Sequence, residues 1–261
     1  MKNRFSDRVT YEVVEQVGII SLSRPEKMNA FDAAMYRGFN EALTAFRDDD
    51  GARVGIVQAE GERAFSVGAD VNALNENAAR GITTGLGSLL LDSGMVTDKP
   101  LIAAVHGHCV GEAVNLVLGC DMVFADASAN FMISEVRLGV NPVDIPIKLA
   151  ARIGYARAFA FLNPGDGKDA DWAARAGLVE RVCPRGTVQQ EALAFARRLA
   201  TECAPLALRA QKATLWTASF GQPATAKILG EARRQKIRQS EDYAEGRRAF
   251  LEKRPPQFSG S

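Results

Sequence analysis

Glu135 is the residue whose surroundings best suit acid–base chemistry. It directly follows the apolar, strand-like residues 130–133, and Val136 and Leu138 come after it. A carboxylate among apolar neighbours has a raised pKa, because burial disfavours its charged form, and it can then act as a general acid or base. The alternative is a glutamate that is paired or caps a helix. Asp144, further along the chain, is better suited to cap a helix.

Two glycine turns each lie between a strand-like segment and the start of a helix. Gly68 and Ala69 precede Asp70, which can cap the next helix, and residues 107–111 lead into an apolar helix that opens at Gly111. The first N–H groups of a helix have no intrahelical partner and lie at the positive end of its dipole. Two such groups that converge on one carbonyl oxygen form an oxyanion hole. The alternative is a pair of ordinary turns at strand ends.

Glu112 and Asn115 share one helix face, because they are three residues apart. A glutamate in the first turn also interacts favourably with the helix dipole, so Glu112 has a purely structural explanation as well. His106, His108 and Cys109 form an HxHC pattern that is similar to a set of metal ligands. Alternate residues of an extended segment point to opposite faces, and the chain has only 2 histidines, so no metal site is predicted.

Residues 64–68, AFSVG, come close to the GxSxG nucleophile elbow of serine hydrolases. Ala64 replaces the first glycine, and residues 61–63 separate the segment from the preceding strand, whereas the elbow needs a sharp strand-to-helix turn. Ser66 as a hydrolase nucleophile is therefore a distant alternative. The chain also has neither a Walker loop nor a GxGxxG sequence, so the usual signatures of a nucleotide cofactor are missing.

The composition is that of an ordinary globular protein with almost no net charge. Of 261 residues, 47% are hydrophobic and 24% are charged, and 32 Lys and Arg balance 31 Asp and Glu. A nucleic-acid partner is not expected, since such binders carry a strong basic excess. No apolar run reaches the ~18 residues of a membrane span, and the first eight residues are polar, so we expect a cytoplasmic protein without a membrane partner. Cys109, Cys120, Cys183 and Cys203 are far apart and are expected to be reduced.

The elements that must position these residues alternate between strands and helices. The predicted strands are residues 9–23 (a pair with a turn), 54–57, 100–105, 121–125 and 130–133. A helix begins after Asp32, and the predicted helices beyond residue 183 are residues 190–200, 206–217, 226–239 and 241–253. This order predicts an α/β core followed by a helical C-terminal section.

Five segments in order resemble the enoyl-CoA hydratase/isomerase (crotonase) superfamily, and the resemblance runs nearly end to end. The segments are residues 23–31 (SRPEKMNAF), 64–70 (AFSVGAD), 103–111 (AAVHGHCVG), 120–121 (CD) and 240–254 (SEDYAEGRRAFLEKR). The resemblance implies an α/β fold, a crotonase-like spiral of strand-strand-helix units. It also implies an acyl-CoA-binding core over residues 1–203 and a helical C-terminal oligomerisation region over residues 204–261, which forms trimers.

The same resemblance implies an enzyme that acts on an acyl-CoA thioester, as a homotrimer or as a hexamer of two trimers. Coenzyme A is then part of the substrate, and no separate cofactor is expected. The family's oxyanion hole falls on the backbone N–H groups of Ala69 and Gly111, where it would stabilise the charge of a thioester enolate. Glu135 matches one of the family's two glutamates.

The resemblance further implies where coenzyme A is held. The expected contacts are Asp70, Val71 and Asn72 along the thioester and pantetheine, Lys27 and Ala30 near the nucleotide, and Phe250 and Lys253 from a neighbouring subunit. Lysines suit this task, because their ammonium groups act as point charges toward phosphates.

The chain departs from the family at the second glutamate. That position falls on Asn115, and Glu112 replaces a glycine beside the oxyanion position. An amide can hold a water molecule but cannot take its proton. A single acid–base group at Glu135 best suits a double-bond shift in an enoyl-CoA. Hydration follows closely, with Asn115 positioning the water or Glu112 supplying the second carboxylate. The alternative of another class is a non-catalytic relative that binds acyl-CoA.

Overall fold

The computed structural model describes residues 3–82 and 84–261, so the first two residues and residue 83 of the predicted core lie outside the described part. That part contains eleven strands and ten α-helices, which confirms the α/β class. The strands are β1 (Asn3–Phe5), β2 (Val9–Val14), β3 (Val17–Leu22), β4 (Val54–Ala59), β5 (Ala64–Ser66), β6 (Leu101–Val105), β7 (His108–Val110), β8 (Met122–Asp126), β9 (Asn130–Met132), β10 (Lys168–Asp169) and β11 (Arg181–Cys183). The helices are α1 (Ala33–Asp48), α2 (Val71–Ala79), α3 (Glu112–Leu118), α4 (Asp144–Ile153), α5 (Tyr155–Leu162), α6 (Ala170–Ala176), α7 (Val188–Glu202), α8 (Pro205–Phe220), α9 (Pro223–Ile237) and α10 (Glu241–Glu252). Short 3-10 helices cover Pro25–Lys27, Leu90–Ser93 and Glu135–Leu138.

Two sheets make up the core, and from β4 to β9 successive strands alternate between them. The larger sheet has the order β1-β2-β3-β4-β6-β8-β11, and the smaller has the order β10-β9-β7-β5. Strands β4, β6, β8 and β11 are parallel neighbours in the larger sheet, and β5, β7 and β9 are parallel neighbours in the smaller. The successions β4-β5-α2 and β6-β7-α3 are strand-strand-helix units, as expected.

The larger sheet is buried on both faces, which explains the continuous apolar runs in its strands. In β4, Val54 and Ile56 belong to the apolar cluster that contains Ala192 and Ala196 of α7. Val57 belongs to the separate cluster on the other face of the sheet, beside α1. Successive strand residues point to opposite faces, so the two layers of helices hold the sheet rigidly between them.

The three C-terminal helices are joined to the core through α8. Lys212 forms an ion pair with Asp121 at 2.9 Å and donates to the carbonyl of Lys99 at 2.8 Å. Arg209 pairs with Asp98 at 2.7 Å. Helix α8 begins at Pro205, one residue after the expected boundary, and the division into a core and an oligomerisation region stays a prediction.

The four cysteines are free, as expected, and three of them are buried. Within residues 3–82 and 84–261, no helix combines the length and the apolar character needed to cross a membrane.

Candidate active site

The two glycine turns singled out above meet in space. Gly68 has a φ of +82°, and a Cβ atom there would lie 2.6 Å from the carbonyl oxygen of Val110 and 3.1 Å from the backbone nitrogen of Glu112. Only glycine adopts this conformation cheaply and lets the two backbones approach so closely. The turn before α2 is therefore packed against the turn before α3.

The N–H of Ala69 is free to bind a ligand. Ala69 forms a parallel β-bridge with Phe31, in which the N–H of Phe31 donates to Gly68 O at 2.7 Å and the N–H of Asp70 donates to Phe31 O at 2.9 Å. In such a bridge the bonded groups belong to the residues on either side, so Ala69's own N–H points away from Phe31.

Asp70 holds this turn in place. Its carboxylate caps α2 by accepting from the N–H groups of Asn72 and Ala73, and the Arg24 guanidinium donates to it at 2.7 Å. Burial raises the pKa of Asp70, but these hydrogen bonds outweigh the effect and lower its pKa below the usual value. Asp70 is thus the predicted helix cap.

Gly111 occupies the second turn, but its N–H is already used. It donates to the carbonyl oxygen of Met132 at 2.9 Å. Glu112 is the first residue of α3, so its N–H has no intrahelical partner, and no described backbone carbonyl accepts from it. The free donor at this turn is therefore one residue further along than the sequence suggested. Gly111 instead provides space, because a Cβ there would lie 2.6 Å from Glu135 Oε1.

The Glu135 carboxylate lies against Gly111, where the second turn meets the 3-10 helix Glu135–Leu138. Burial raises its pKa, although hydrogen bonds from the backbone N–H groups of Glu135 and Ser134 partly offset the effect. Its Oε2 atom is buried and has no hydrogen-bond partner in the described part of the chain. Val136 and Leu138, from which an apolar setting was predicted, are exposed. The buried Oε2 atom nevertheless leaves one oxygen of this carboxyl for a substrate.

Glu112 reaches the same region as Asn115. Both carboxylate oxygens of Glu112 lie 3.5 Å from Asn115 Nδ2, and the Tyr36 side chain lies beside the Glu112 carboxylate. Burial, with a further contribution from the charge of Asp92, raises the pKa of Glu112 to about 7, and the Asn115 amide and the Lys148 charge oppose the shift. A carboxylate thus stands beside the amide that replaces the family's second glutamate.

An ion pair that sequence reasoning missed supports this arrangement. Lys148 Nζ lies 2.6 Å from Asp92 Oδ1 and 2.9 Å from Asn115 Oδ1, and Asn115 Nδ2 donates to Asp92 Oδ1 at 3.0 Å. Asp92 follows three leucines, residues 89–91, and an acidic residue directly after such a run could have indicated a buried partner. Tyr36 gave no signal, because its position on α1 fits the apolar stripe of that helix.

The same ion pair borders a cavity. The cavity has a volume of about 670 Å³ and lies between α4 and α8. Asp92 and Lys148 form part of its wall, and Leu215, Trp216 and Phe220 contribute apolar surface on the α8 side.

The predicted coenzyme A contacts fall into three places. Lys27 is exposed at the 3-10 helix Pro25–Lys27, and Ala30 is buried with its carbonyl accepting from Arg24. Val71 and Asn72 are exposed in the first turn of α2, next to Ala69. Phe250 is exposed in the last turn of α10 and Lys253 directly follows that helix; their contact with a neighbouring subunit's coenzyme A stays a prediction.

Ser66 has a structural role, and the structure also locates the two histidines and Asp144. The Ser66 hydroxyl is fully buried, donates to Asn29 O at 2.8 Å and accepts from Gly68 N–H at 3.1 Å, so it braces the first turn. His106 is buried whereas His108 is exposed, and no group of three or more metal-binding side chains gathers within the described residues. The capping prediction for Asp144 is wrong, because α4 begins at Asp144 itself, and the residue before it, Val143, carries no capping oxygen.

The fold and this site together define a protein of the crotonase class. Two adjoining turns bring together backbone N–H groups that no described carbonyl oxygen accepts from, and the buried Glu135 carboxylate lies against the second turn. A sequence model described as "Enoyl-CoA hydratase/isomerase" matches residues 12–261. The chain belongs to this family, the predicted crotonase-like fold is confirmed, and the protein is an enzyme of the hydratase/isomerase type.

Individual relatives agree with that assignment. The chain is 36% identical over 259 residues to a probable enoyl-CoA hydratase of Rhodobacter capsulatus, covering 97% of this chain and 98% of that protein. It is 34% identical over 248 residues to a carnitinyl-CoA dehydratase of Citrobacter koseri, covering 92% and 94%. The crystal structure of enoyl-CoA hydratase from Mycobacterium tuberculosis matches with a TM-score of 0.87 at 31% identity, covering 97% of this chain and 99% of that one.

Proposed function

We propose that this enzyme adds water to the double bond of a trans-2-enoyl-CoA, or removes it in the reverse direction, with Glu112 and Glu135 as its two carboxyl groups. The observation that carries the proposal is the position of Glu112, whose carboxylate lies 3.5 Å from the Asn115 amide. The carboxylate that Asn115 lacks is supplied from one helical turn earlier. The double-bond shift was preferred because Glu135 was expected to be the single acid–base group. With Glu112 as a second group, that reason no longer applies.

The thioester oxygen accepts hydrogen bonds from the N–H groups of Ala69 and Glu112. In this proposal the Glu112 N–H replaces the Gly111 N–H as a donor, because the Gly111 N–H already donates to the carbonyl oxygen of Met132. Water attack at the β-carbon moves an electron pair onto the thioester oxygen, and fixed donors stabilise the resulting enolate without having to reorganise. Losing one such donor typically costs ~3 kcal/mol of the activation barrier.

The two carboxyl groups divide the protons between them. The Asn115 amide donates to Glu112 and the Lys148 charge acts on it, and both favour its ionised form, so it takes the proton from water as the oxygen bonds to the β-carbon. Burial raises the pKa of Glu135 and so favours its neutral form, so it gives a proton to the α-carbon as the enolate collapses. The proton on Glu112 then returns to Glu135 through solvent, and one water has been added.

The substrate and the assembly follow the family. The family implies an acyl-CoA, and we propose that its pantetheine passes Asp70, Val71 and Asn72 while Lys27 and Ala30 lie near the nucleotide. We also propose a homotrimer or a hexamer, in which Phe250 and Lys253 reach a neighbour's coenzyme A. The exposure of Phe250 (83%) and Leu251 (78%) at the end of α10 supports such a contact, because large apolar side chains grouped on a surface mark association.

A substrate panel tests the proposal. A trans-2-enoyl-CoA and a trans-3-enoyl-CoA of equal chain length are each incubated with the protein, and the products are identified by absorbance and mass. Hydration predicts that only the conjugated substrate gains the mass of one water. Conversion of the trans-3 compound to the trans-2 compound without added water would instead establish the double-bond shift, and tight binding without turnover would establish a non-catalytic relative.

A further inference from the structure

Four elements bring polar groups to the Glu112 carboxylate. Tyr36 comes from α1, Asn115 from α3, Asp92 from the 3-10 helix Leu90–Ser93, and Lys148 from α4. Asp144, at the start of α4, adds a further negative charge that raises the pKa of Glu112. The Asp92 and Lys148 side chains are only 15% and 13% exposed, so water screens their charges weakly.

The Lys148 ammonium fixes which way the Asn115 amide faces. An ammonium group has three donors and no acceptor, so the Asn115 atom that lies 2.9 Å from it must be the carbonyl oxygen. The NH₂ group then faces Asp92 and Glu112, which is the orientation that supports an ionised Glu112. Without Lys148, the amide could rotate and present its oxygen to the carboxylate.

The two charges of the pair act on Glu112 in opposite directions. The charge of Asp92 raises the pKa of Glu112, and the charge of Lys148 lowers it. We propose that the buried Asp92–Lys148 pair is a positioning unit for the reaction, which holds the Asn115 amide with its NH₂ group toward Glu112. This inference rests on the proposed function, because it assigns Glu112 the part of the base.

The decisive experiment changes each member of the pair and records the pH profile of kcat/KM for hydration. Ionised Glu112 is the active form, so activity rises as pH increases through its pKa. Removing the cation with Lys148→Met leaves Asp92 unopposed and moves the acidic limb up by about one pH unit. Removing the anion with Asp92→Asn leaves Lys148 unopposed and moves the limb down by about the same amount. Lys148→Arg keeps the cation and restores the limb toward that of the parent enzyme.

Lys212→Met is the matched control. Lys212, on α8, forms a comparable half-buried ion pair with Asp121. Its polar contacts in the described chain are with Asp121 and Lys99. It therefore leaves the acidic limb in place. Limbs that move in the same direction in Lys148→Met and Asp92→Asn, or that do not move, would overturn the proposal. If Lys148→Met does not fold, the direction of the shift in Asp92→Asn decides.

A second readout separates this inference from the proposed function. The titration of the Glu112 carboxyl is followed by carbon-13 NMR, with the resonance assigned by its loss in Glu112→Gln. If the parent protein hydrates no enoyl-CoA, the proposed function fails, and the NMR titration still decides on the ion pair. Opposite shifts of the Glu112 midpoint in the two variants support its control of Glu112, and equal or absent shifts contradict it.

Discussion

In the proposed mechanism, Glu112, one turn earlier on the same helix, takes the role of the second glutamate that the resemblance places at Asn115. Asn115 and Glu112 are three residues apart, so both side chains leave α3 on one face and end near each other. The family's carboxylate can thus be moved along the helix without moving the carboxyl group far in space. In this proposal Glu112 has two roles, because its backbone N–H donates to the thioester oxygen and its side chain acts as the base.

The pH dependence of the parent enzyme follows from the environment of Glu112. Burial, together with the charge of Asp92, raises its pKa to about 7. Since the ionised form accepts the proton from water, kcat/KM for hydration should rise with pH and reach half its plateau near pH 7. A profile that is flat between about pH 5.5 and pH 8 would contradict this assignment.

The residue scale also shows which parts of the site the sequence could predict. The raised pKa of Glu135 was predicted from Val136 and Leu138, but both are exposed, and the carboxylate lies instead against Gly111. The Gly111 N–H was wrongly predicted as a donor, because its partner, Met132, lies on a strand brought alongside only by the fold. The pairing of Lys148 with Asp92 was equally hidden, because the two residues are far apart in the chain.

At the scale of elements, the close approach of two turns creates the site. The Gly68 turn precedes α2 and the Gly111 turn precedes α3, and the parallel pairing of β5 with β7 brings them together. The sequence predicted the caps of α1 and α2, since Asp32 and Asp70 both accept backbone hydrogen bonds as expected. It did not resolve β7, because three residues after a glycine carry no periodic signal.

A methyl group on Gly68 should separate the two turns. In Gly68→Ala, the new Cβ would lie 2.6 Å from Val110 O, and the positive φ adds backbone strain. We expect a loss of about 1–3 kcal/mol in the free energy of unfolding and a fall of about 10²-fold in kcat, because the donors on the two turns no longer converge. Urea unfolding and steady-state hydration rates measure the two effects.

Gly186→Ala is the control for backbone strain alone. Gly186 has a φ of +80°, but a Cβ there would meet no atom within 4 Å. It should lose stability and keep the parent kcat. If both variants keep the parent kcat, the convergence of the two turns does not contribute to catalysis.

At the scale of the whole molecule, the C-terminal helices leave a group of apolar side chains uncovered. Leu215, Ile228, Phe250 and Leu251 are each more than 60% exposed in the single chain. The helical character of this region was readable from its spacing. The exposure of these apolar side chains was not predictable, because the periodicity of one sequence does not distinguish a face that packs on the core from a face that is left uncovered.

The contribution of Lys253 tests the proposed assembly. If it binds a neighbour's coenzyme A phosphates, Lys253→Met should raise KM for the acyl-CoA about fivefold and leave kcat unchanged, as expected for one exposed charge pair. Lys227→Met, at an exposed position on α9, should leave both constants unchanged. An unaltered KM in Lys253→Met, with trimers present by sedimentation, would refute the role of Lys253.

The pairing of Glu112 with Glu135 is tested most directly by the hydration rate of Glu112→Gln. The amide keeps the shape of the side chain and the backbone N–H but cannot accept a proton. With a short trans-2-enoyl-CoA, we predict a fall in kcat of about 10²–10⁴-fold and little change in KM. Glu62→Gln, at an exposed glutamate, serves as the control and should keep the parent rate. A Glu112→Gln enzyme that retains the parent kcat within about twofold would contradict the account, since no positioned base would then have been lost.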